Sequence, residues 1–540
     1  MTVVGYRQVA LERDSVWTGV DDVGACLCGD RLLQRDARNE HNRHEYEWNK
    51  SHGKNIAPPS DSGNRNRPAE LRLAAVRVLS RGAVLYPRSD DARTLGDTQE
   101  DTTVHSCHTE GRPANPLPTE AEETLKCSDH DRSILRPLAD RKAAAADSSV
   151  NAERREAWYR HDAGAGGRPM VLAEIGGVRD EKRPISDADL ECRGEWARTV
   201  EHHLRSELYQ FDVLRDDHVI EPWMSAGYRV TIGNYGVEPV VHSGDHDGRM
   251  GARRWDPPIV DLDRDFHKLR PSEFHVDREA SAAERGLLES VFSGILPVRP
   301  RSSYYWTMGL TWRAIELIGL EGLMLAMYDN PEGLHRLMAF LRDQHLAMAE
   351  WLESEELYTL NNENDYTGSG TLGYTRDLPV STDGVVRTRD LWVLSESQET
   401  VGVGPQLFEE FVFPYQLAIV ERFGRCYYGC CEPVHGRWHI VRRLPRLERV
   451  SVSPWADQEL MAEYLGDRYV FSRKPAPSMI STDAWDEAEI RRDIRGTLEI
   501  ARGCRVELIM KDVHTLNNEP PRLARWVEIT REEINRSAGG

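Results

Sequence analysis

Hydrophobic positions are spread unevenly along the 540-residue chain, and the character changes near residue 150. Upstream, apolar side chains are scattered among Asp, Arg, Asn, Ser and Pro, as in NIAPPSDSGNRNRPAE and RPANPLPTEAEE. All ten phenylalanines lie at or after Phe211, and no methionine occurs between Met1 and Met170. A stretch so composed buries too little apolar surface to offset its chain entropy. Residues 1–150 are therefore expected to form a polar N-terminal extension, largely irregular or disordered. Within it, RPAELRLAAVRVLSRG places Leu71, Ala74, Ala75 and Val78 on one helical face that could dock on the main domain.

Over residues 151–540 strand-length apolar runs alternate with amphipathic helices. Eight runs read as buried strands: MVLAEI (Met170 to Ile175), HVIEPWM (His218 to Met224), SYYWTM (Ser303 to Met308), LYTLNNE (Leu357 to Glu363), CYYGC (Cys426 to Cys430), RVSVS (Arg449 to Ser453), YVFSR (Tyr469 to Arg473) and VELIM (Val506 to Met510). The helices between them carry their own punctuation. Asn330 is placed as an N-cap and Pro331 in the first turn, and EGLHRLMAFLRDQHLAMAEWL then puts Leu334, Leu337, Met338, Leu341 and Leu352 on one face. PQLFEEFVFPYQLAIVERFG should kink at Pro414 and stop at Gly424. DEAEIRRDIRGTLEIARG precedes the eighth strand, and PPRLARWVEITREEINR follows it. This alternation predicts an α/β fold, a (β/α)8 TIM barrel.

Composition narrows the partners. The formal net charge of −20 argues against nucleic acid or an anionic membrane surface, which need a positive excess. No run approaches the roughly 18 apolar residues of a membrane span, and MTVVGYRQVALERD lacks the regions of a secretion signal, so a cytoplasmic protein is expected. Nine cysteines in a long chain do not suggest a disulfide framework. Cys26 and Cys28, with His105, Cys107 and His108 in HSCH, are metal-ligand types without regular paired spacing.

In a barrel of this kind the reactive groups gather at the carboxyl ends of the strands. In chain order those ends carry Glu174, Glu221, Asn361, Asn362, Glu363, Cys430, Cys431, Glu432, Ser453, Trp455, Arg473, Lys474, Lys511, Asp512 and His514. Bland roles compete at each position. Adjacent cysteines are often small core fillers, a loop histidine often caps a helix, and loop carboxylates often bind backbone amides. The site chemistry such a set supports is zinc coordination by thiolate and imidazole, with three protein ligands leaving one position open. Cys430, Cys431 and His514 are the candidate ligands, and Glu363, Glu432, Asp512 and Lys474 are the candidate catalytic residues. Tyr304, Tyr305, Trp306, Tyr366 and Trp455 could line a pocket for a ring or simply pack the rim.

The run SQETVGVGPQLFEEFVFPYQLAIVERFGRCYYGCCEPVHGRWHIVRRLPRLERVSVSPWADQELMAEYLGDRYVFSRKPAPSMI resembles the uroporphyrinogen decarboxylase superfamily, on the branch that includes zinc- and corrinoid-dependent methyltransferases. The resemblance spans roughly residues 153–537 and implies a (β/α)8 barrel, an open mouth and often a homodimer. The decarboxylases hold an anionic tetrapyrrole with arginines from an RQAGR-like segment, and none stands around MVLAEIGGVRDEKRP. The methyltransferases bind zinc through a His-x-Cys pair after the fifth strand and a Cys after the eighth. Here those places read Gly429, Cys430, Cys431 and KDVHT, so His514 stands where a cysteine is expected. The resemblance implies a zinc-dependent methyltransferase or demethylase component acting on a small molecule. Its corrinoid would arrive on a partner protein, since no DxHxxG signature is present. Two alternatives stay open. One is a metal-free decarboxylase or lyase, in which Lys474, Arg473 or Lys511 grips a carboxylate and Glu363 or Asp512 moves protons. The other is a non-catalytic binding subunit that uses the N-terminal region as its arm.

Overall fold

The structure, a computed structural model, describes residues 125–243, 253–302 and 308–539. The segment around Leu71, the cysteines and histidines at 26, 28, 105, 107 and 108, and residues 303–307 with Tyr304, Tyr305 and Trp306 lie outside the described residues. The end of the stretch expected to be irregular is helical. Helix α1 (Asp129–Ala146) begins at Ser128, whose hydroxyl accepts from the Asp131 amide, and α2 (Ser149–Asp162) begins at Ser148, which accepts from the Asn151 amide. Each serine satisfies one of the orphan donors of a first turn.

Six parallel strands build the central sheet: β1 (Met170–Ala173), β2 (Trp392–Ser395), β3 (Arg425–Tyr428), β4 (Leu447–Val452), β5 (Val470–Arg473) and β6 (Arg505–Met510). Their spatial order is β1-β6-β5-β4-β3-β2. Met170 stands opposite Glu507, Val450 opposite Phe471 and Ser395 opposite Tyr428. Every residue of β1, β2, β3 and β5 is buried, as a parallel sheet covered on both faces requires.

Five of the eight expected strands enter this sheet; β2, from DLWVLSES, was not among the eight. HVIEPWM contributes only Met224, in a short strand (Met224–Ala226) that pairs with Val298–Pro300 apart from the main sheet. LYTLNNE carries no strand. The physical reason lies at the two sheet edges, where side chains stand in for a backbone neighbour. The Asn361 amide accepts from the Trp392 N–H at 2.9 Å and donates to its carbonyl at 3.1 Å. At the other edge the Asp217 carboxylate accepts from the Val171 N–H at 2.7 Å and the Asp216 carboxylate from the Ala173 N–H at 2.9 Å. The hydrogen-bonded ladder among the described residues thus has six strands and does not close into eight.

The helices follow their sequence signals. Helix α3 (Pro331–Ser354) is capped by Asn330, which accepts from the Gly333 amide at 2.9 Å, and buries Leu334, Leu337, Met338, Leu341 and Leu352. The kink expected at Pro414 is a full break at Val412, between α4 (Pro405–Phe411) and α5 (Phe413–Val420), with the proline in the first turn of α5. Helix α6 (Glu487–Ile500) joins β5 to β6, and α7 (Pro521–Gly539) follows β6. No helix among the described residues is long and apolar enough to cross a membrane.

The amino end of the sheet is sealed by charge. Asp162, at the end of α2, pairs with Arg449 at 3.0 Å and Arg425 at 3.1 Å, and its carbonyl accepts from Arg505 at 2.6 Å. Both Arg425 and Arg449 also lie over the Trp392 ring, at 4.6 and 4.8 Å from its centroid. The opposite, carboxyl edge is where the candidate chemistry lies.

Candidate functional site

Strand β3 ends at Tyr428, and Gly429 then adopts φ +94°, where a Cβ would press at 3.2 Å on Ser451 and Val434. Only glycine takes that turn without strain. The turn delivers Cys430 and Cys431 to the sheet edge, and the loop is pinned on three sides. Glu432 accepts from the Cys430 amide at 2.9 Å and from the Ser397 amide at 2.8 Å, while the Ser451 hydroxyl donates to the Cys430 carbonyl at 2.7 Å. The two Sγ atoms lie 3.8 Å apart.

Lys511, just past β6, brings its Nζ to 3.8 Å from Cys430 Sγ, 3.2 Å from Ser369 Oγ and 3.5 Å from Asp512 Oδ1. Asp512 in turn places Oδ2 3.9 Å from Cys431 Sγ. Ser369 caps the pair, with its hydroxyl 3.6 Å from Cys430 Sγ. It sits at the tip of a hairpin (Tyr366–Gly368 with Thr371–Leu372) flanked by glycines that allow close approach. A Cβ on Gly368 would meet the Tyr427 ring, and one on Gly370, at φ +94°, would lie 2.5 Å from Ile509 Cγ2. On the same hairpin the Tyr366 hydroxyl donates to Glu174 Oε1 at 2.7 Å.

Electrostatics divide the two sulfurs. The hydrogen bond from Cys431 holds the Cys430 thiol below its ordinary value against burial, and the Lys511 ammonium adds to the effect. Cys431 is pushed well above its ordinary value by that same bond, by burial and by the charge on Cys430. Burial opposes the Lys511 ammonium, but Asp512, Cys430, Tyr366 and Glu174 together hold it well above the usual lysine value. Of the two sulfurs Cys430 is therefore the more readily deprotonated, placed between an S–H donor and an ammonium.

The remaining expected site residues have their own partners. Glu432 spends both carboxylate oxygens on backbone amides and is a positioning residue. Lys474 Nζ donates to Tyr427 Oη at 2.8 Å, Ser472 Oγ at 2.7 Å and Ser472 O at 2.9 Å, propping the ring against which the hairpin packs. Burial lowers Lys474 to about 7 although the Glu507 charge opposes the shift. The charge of Glu363 bears on Tyr159 and Tyr374, and Tyr159 belongs to α2 at the amino end. Arg473 turns toward Asp493 of α6 at 3.4 Å. The His514 carbonyl accepts from the Arg179 amide at 2.9 Å.

Among the described residues no three His, Cys, Asp or Glu side chains are gathered as a metal ion requires, so Cys430, Cys431 and His514 do not form a zinc set as placed. The sulfur spacing would suit a tetrahedral edge with bonds of about 2.3 Å. The Lys511 ammonium, however, already stands beside both Cys430 and Asp512 and would repel a dication there. Its place at a strand end makes Lys511, with Lys474 and Arg473, a carboxylate grip only in the lyase alternative, and its approach to the Cys430 sulfur is not visible in the sequence. Ser369 was missed altogether, though a serine between two glycines signals close backbone approach.

A second buried cluster follows β2. Glu399 accepts from the Thr311 hydroxyl at 2.6 Å and is pushed up to about 7 by burial. Burial and the charges of Glu399 and Glu432 raise Glu396 well above its ordinary value.

No protein family matches the chain, and no curated protein matches it in sequence. Solved structures that match include a methyltransferase from Methanosarcina mazei, 10% identical, with a TM-score of 0.40, covering 71% of this chain and 98% of that one.

Proposed function

We propose that the protein is a group-transfer enzyme of the methyltransferase class, in which the Cys430 sulfur accepts a methyl group. The observation that carries this reading is the Cys430 sulfur held 3.8 Å from both the Lys511 ammonium and the Cys431 thiol. A neighbouring ammonium and S–H donor favour the charged, nucleophilic form of that sulfur. In an in-line displacement the sulfur–carbon bond forms as the bond from carbon to its carrier breaks, and the electron pair leaves with the carrier. Once Cys430 is a neutral thioether, Lys511 keeps Asp512 and Ser369 as partners. In this reading the methyl donor is carried by a corrinoid protein, and the six strands are the continuous part of a (β/α)8 barrel whose wall the Asp216–Asp217 and Asn361 segments complete.

The test uses methylcobalamin as a free donor with the reduced full-length protein. The tryptic peptide from Cys426 to Arg437 should gain one methyl group on Cys430 and none in Cys430→Ser. A peptide that stays unmethylated while its thiols remain reduced sinks the reading. A metal-free lyase acting on a carboxylated small molecule is the second reading, favoured by two buried lysines, Lys474 and Lys511, at one sheet edge. It expects Cys430→Ser to keep turnover and Lys511→Met to lose it.

A further inference from the structure

We infer that Cys430 and Cys431 are a reversible modification site, closing into a disulfide with each other when a peroxide reaches the sheet edge. The ring closure stands on the geometry alone; its regulatory consequence rests on Cys430 being the reacting sulfur proposed above.

The two Sγ atoms are in contact at 3.8 Å, and rotation about their side-chain bonds must bring them to about 2.05 Å. Their partners differ in the way the chemistry needs. Cys430 faces the Lys511 ammonium, which favours the charged sulfur, and Cys431 faces the Asp512 carboxylate, which can take its proton. In the first step the Cys430 thiolate attacks one peroxide oxygen, the O–O bond breaks, and hydroxide leaves, giving a sulfenic acid. In the second, Cys431 passes its proton toward Asp512 and its sulfur attacks the sulfenyl sulfur. The S–S bond forms, the S–O bond breaks, and the oxygen leaves as water after taking up that proton. The balance is two thiols and one peroxide to one disulfide and two waters.

Competition from the neighbouring cysteine is weak. Cys426 lies fully buried within β3, its thiol facing the Tyr427 carbonyl at 3.5 Å, and burial pushes that thiol far up. Reversal is built in as well. Adjacent Cα atoms across a trans peptide stand about 3.8 Å apart, short of the roughly 4.4–6.8 Å that disulfides usually span. A ring on adjacent residues is therefore reducible, as regulatory disulfides are. The Ser451 hydroxyl on the Cys430 carbonyl and the Glu432 carboxylate on its amide restore the open loop once the bond is cut.

The experiment exposes the full-length protein to hydrogen peroxide, then denatures it, blocks remaining thiols with iodoacetamide and weighs the peptide from Cys426 to Arg437. The wild-type peptide should lose two hydrogens and take up one blocking group, on Cys426; dithiothreitol before blocking should restore three. Cys426→Ser should still lose two hydrogens, and Cys431→Ser should stop at a Cys430 sulfenic acid captured by dimedone. Three blocked cysteines after peroxide, or Cys430 joined to Cys426 or to another chain, overturns the inference. Methyl acceptance, assayed in parallel, should vanish with oxidation and return with dithiothreitol. If the ring forms in a protein that never accepts methyl, the modification site stands and the methyltransferase reading falls.

Discussion

Replacing Lys511 with methionine removes the cation beside Cys430 and keeps most of the side-chain volume. A unit charge 3.8 Å from the sulfur contributes roughly 4 kcal/mol at an effective dielectric constant of about 20. Asp512, 3.5 Å from the same ammonium, offsets part of that, and retaining about half leaves roughly 2 kcal/mol, or about 1.5 pH units. The hydrogen bond from Cys431 survives the substitution, so the Cys430 thiol should move up without losing all of its activation. The assay follows iodoacetamide labelling of Cys430 by mass across pH 6 to 10. At pH 7 the labelling rate should fall by about 10- to 30-fold, and Lys511→Arg should recover much of it. A Lys511→Met profile superimposed on the wild type would refute the claim that this ammonium sustains the thiolate.

Three further outcomes follow from the same structure. Asp162→Ala strips a common carboxylate from Arg425 and Arg449. Because Arg449 keeps Glu507 at 3.4 Å and Arg425 keeps Asp377 at 2.8 Å, the loss should be about 3 kcal/mol, at the low end for a broken buried pair, and a shift under about 1 kcal/mol in urea unfolding would contradict it. Glu399 has a folded value of about 7, above that of the unfolded chain, so its contribution is present at low pH and is lost as pH rises through about 7. Glu399→Gln should therefore raise Tm at pH 8.5 by the equivalent of a few kcal/mol and change it little at pH 4, and equal shifts at both would argue against the buried charge. Gly370→Ala pairs a left-handed φ with a Cβ 2.5 Å from Ile509, so it should cost about 1–3 kcal/mol and speed alkylation of Cys430 by lifting Ser369. Unchanged stability together with unchanged labelling would count against the hairpin as a cap.

The legible parts of the fold were those in which sequence pattern and burial coincide. Strands β3 to β6 are short apolar runs before turn residues, and α3 announces itself with Asn330, Pro331 and a leucine stripe. Strand β2 was not found because its four residues sit between Asp390 and Glu396, whose charges suggest surface although both are buried. The segments near His218 and Leu357 misled in the opposite sense. They are apolar enough for strands, but at the sheet edges the Asp216, Asp217 and Asn361 side chains, with the Asp217 N–H on the Val171 carbonyl, take the place of a regular ladder. At the site, the paired cysteines and Asp512 were legible from their positions at strand ends. The counter-ion role of Lys511 was not, because it depends on a 3.8 Å approach between residues 81 positions apart.

The seal that Asp162 makes across three arginines has a practical meaning for anyone shortening this chain. A version beginning at Met170 would keep every strand of the sheet yet leave Arg425 and Arg449 facing an interior without their shared anion. The smallest piece that folds well should therefore start upstream of Ser128, so that both capped helices come with it.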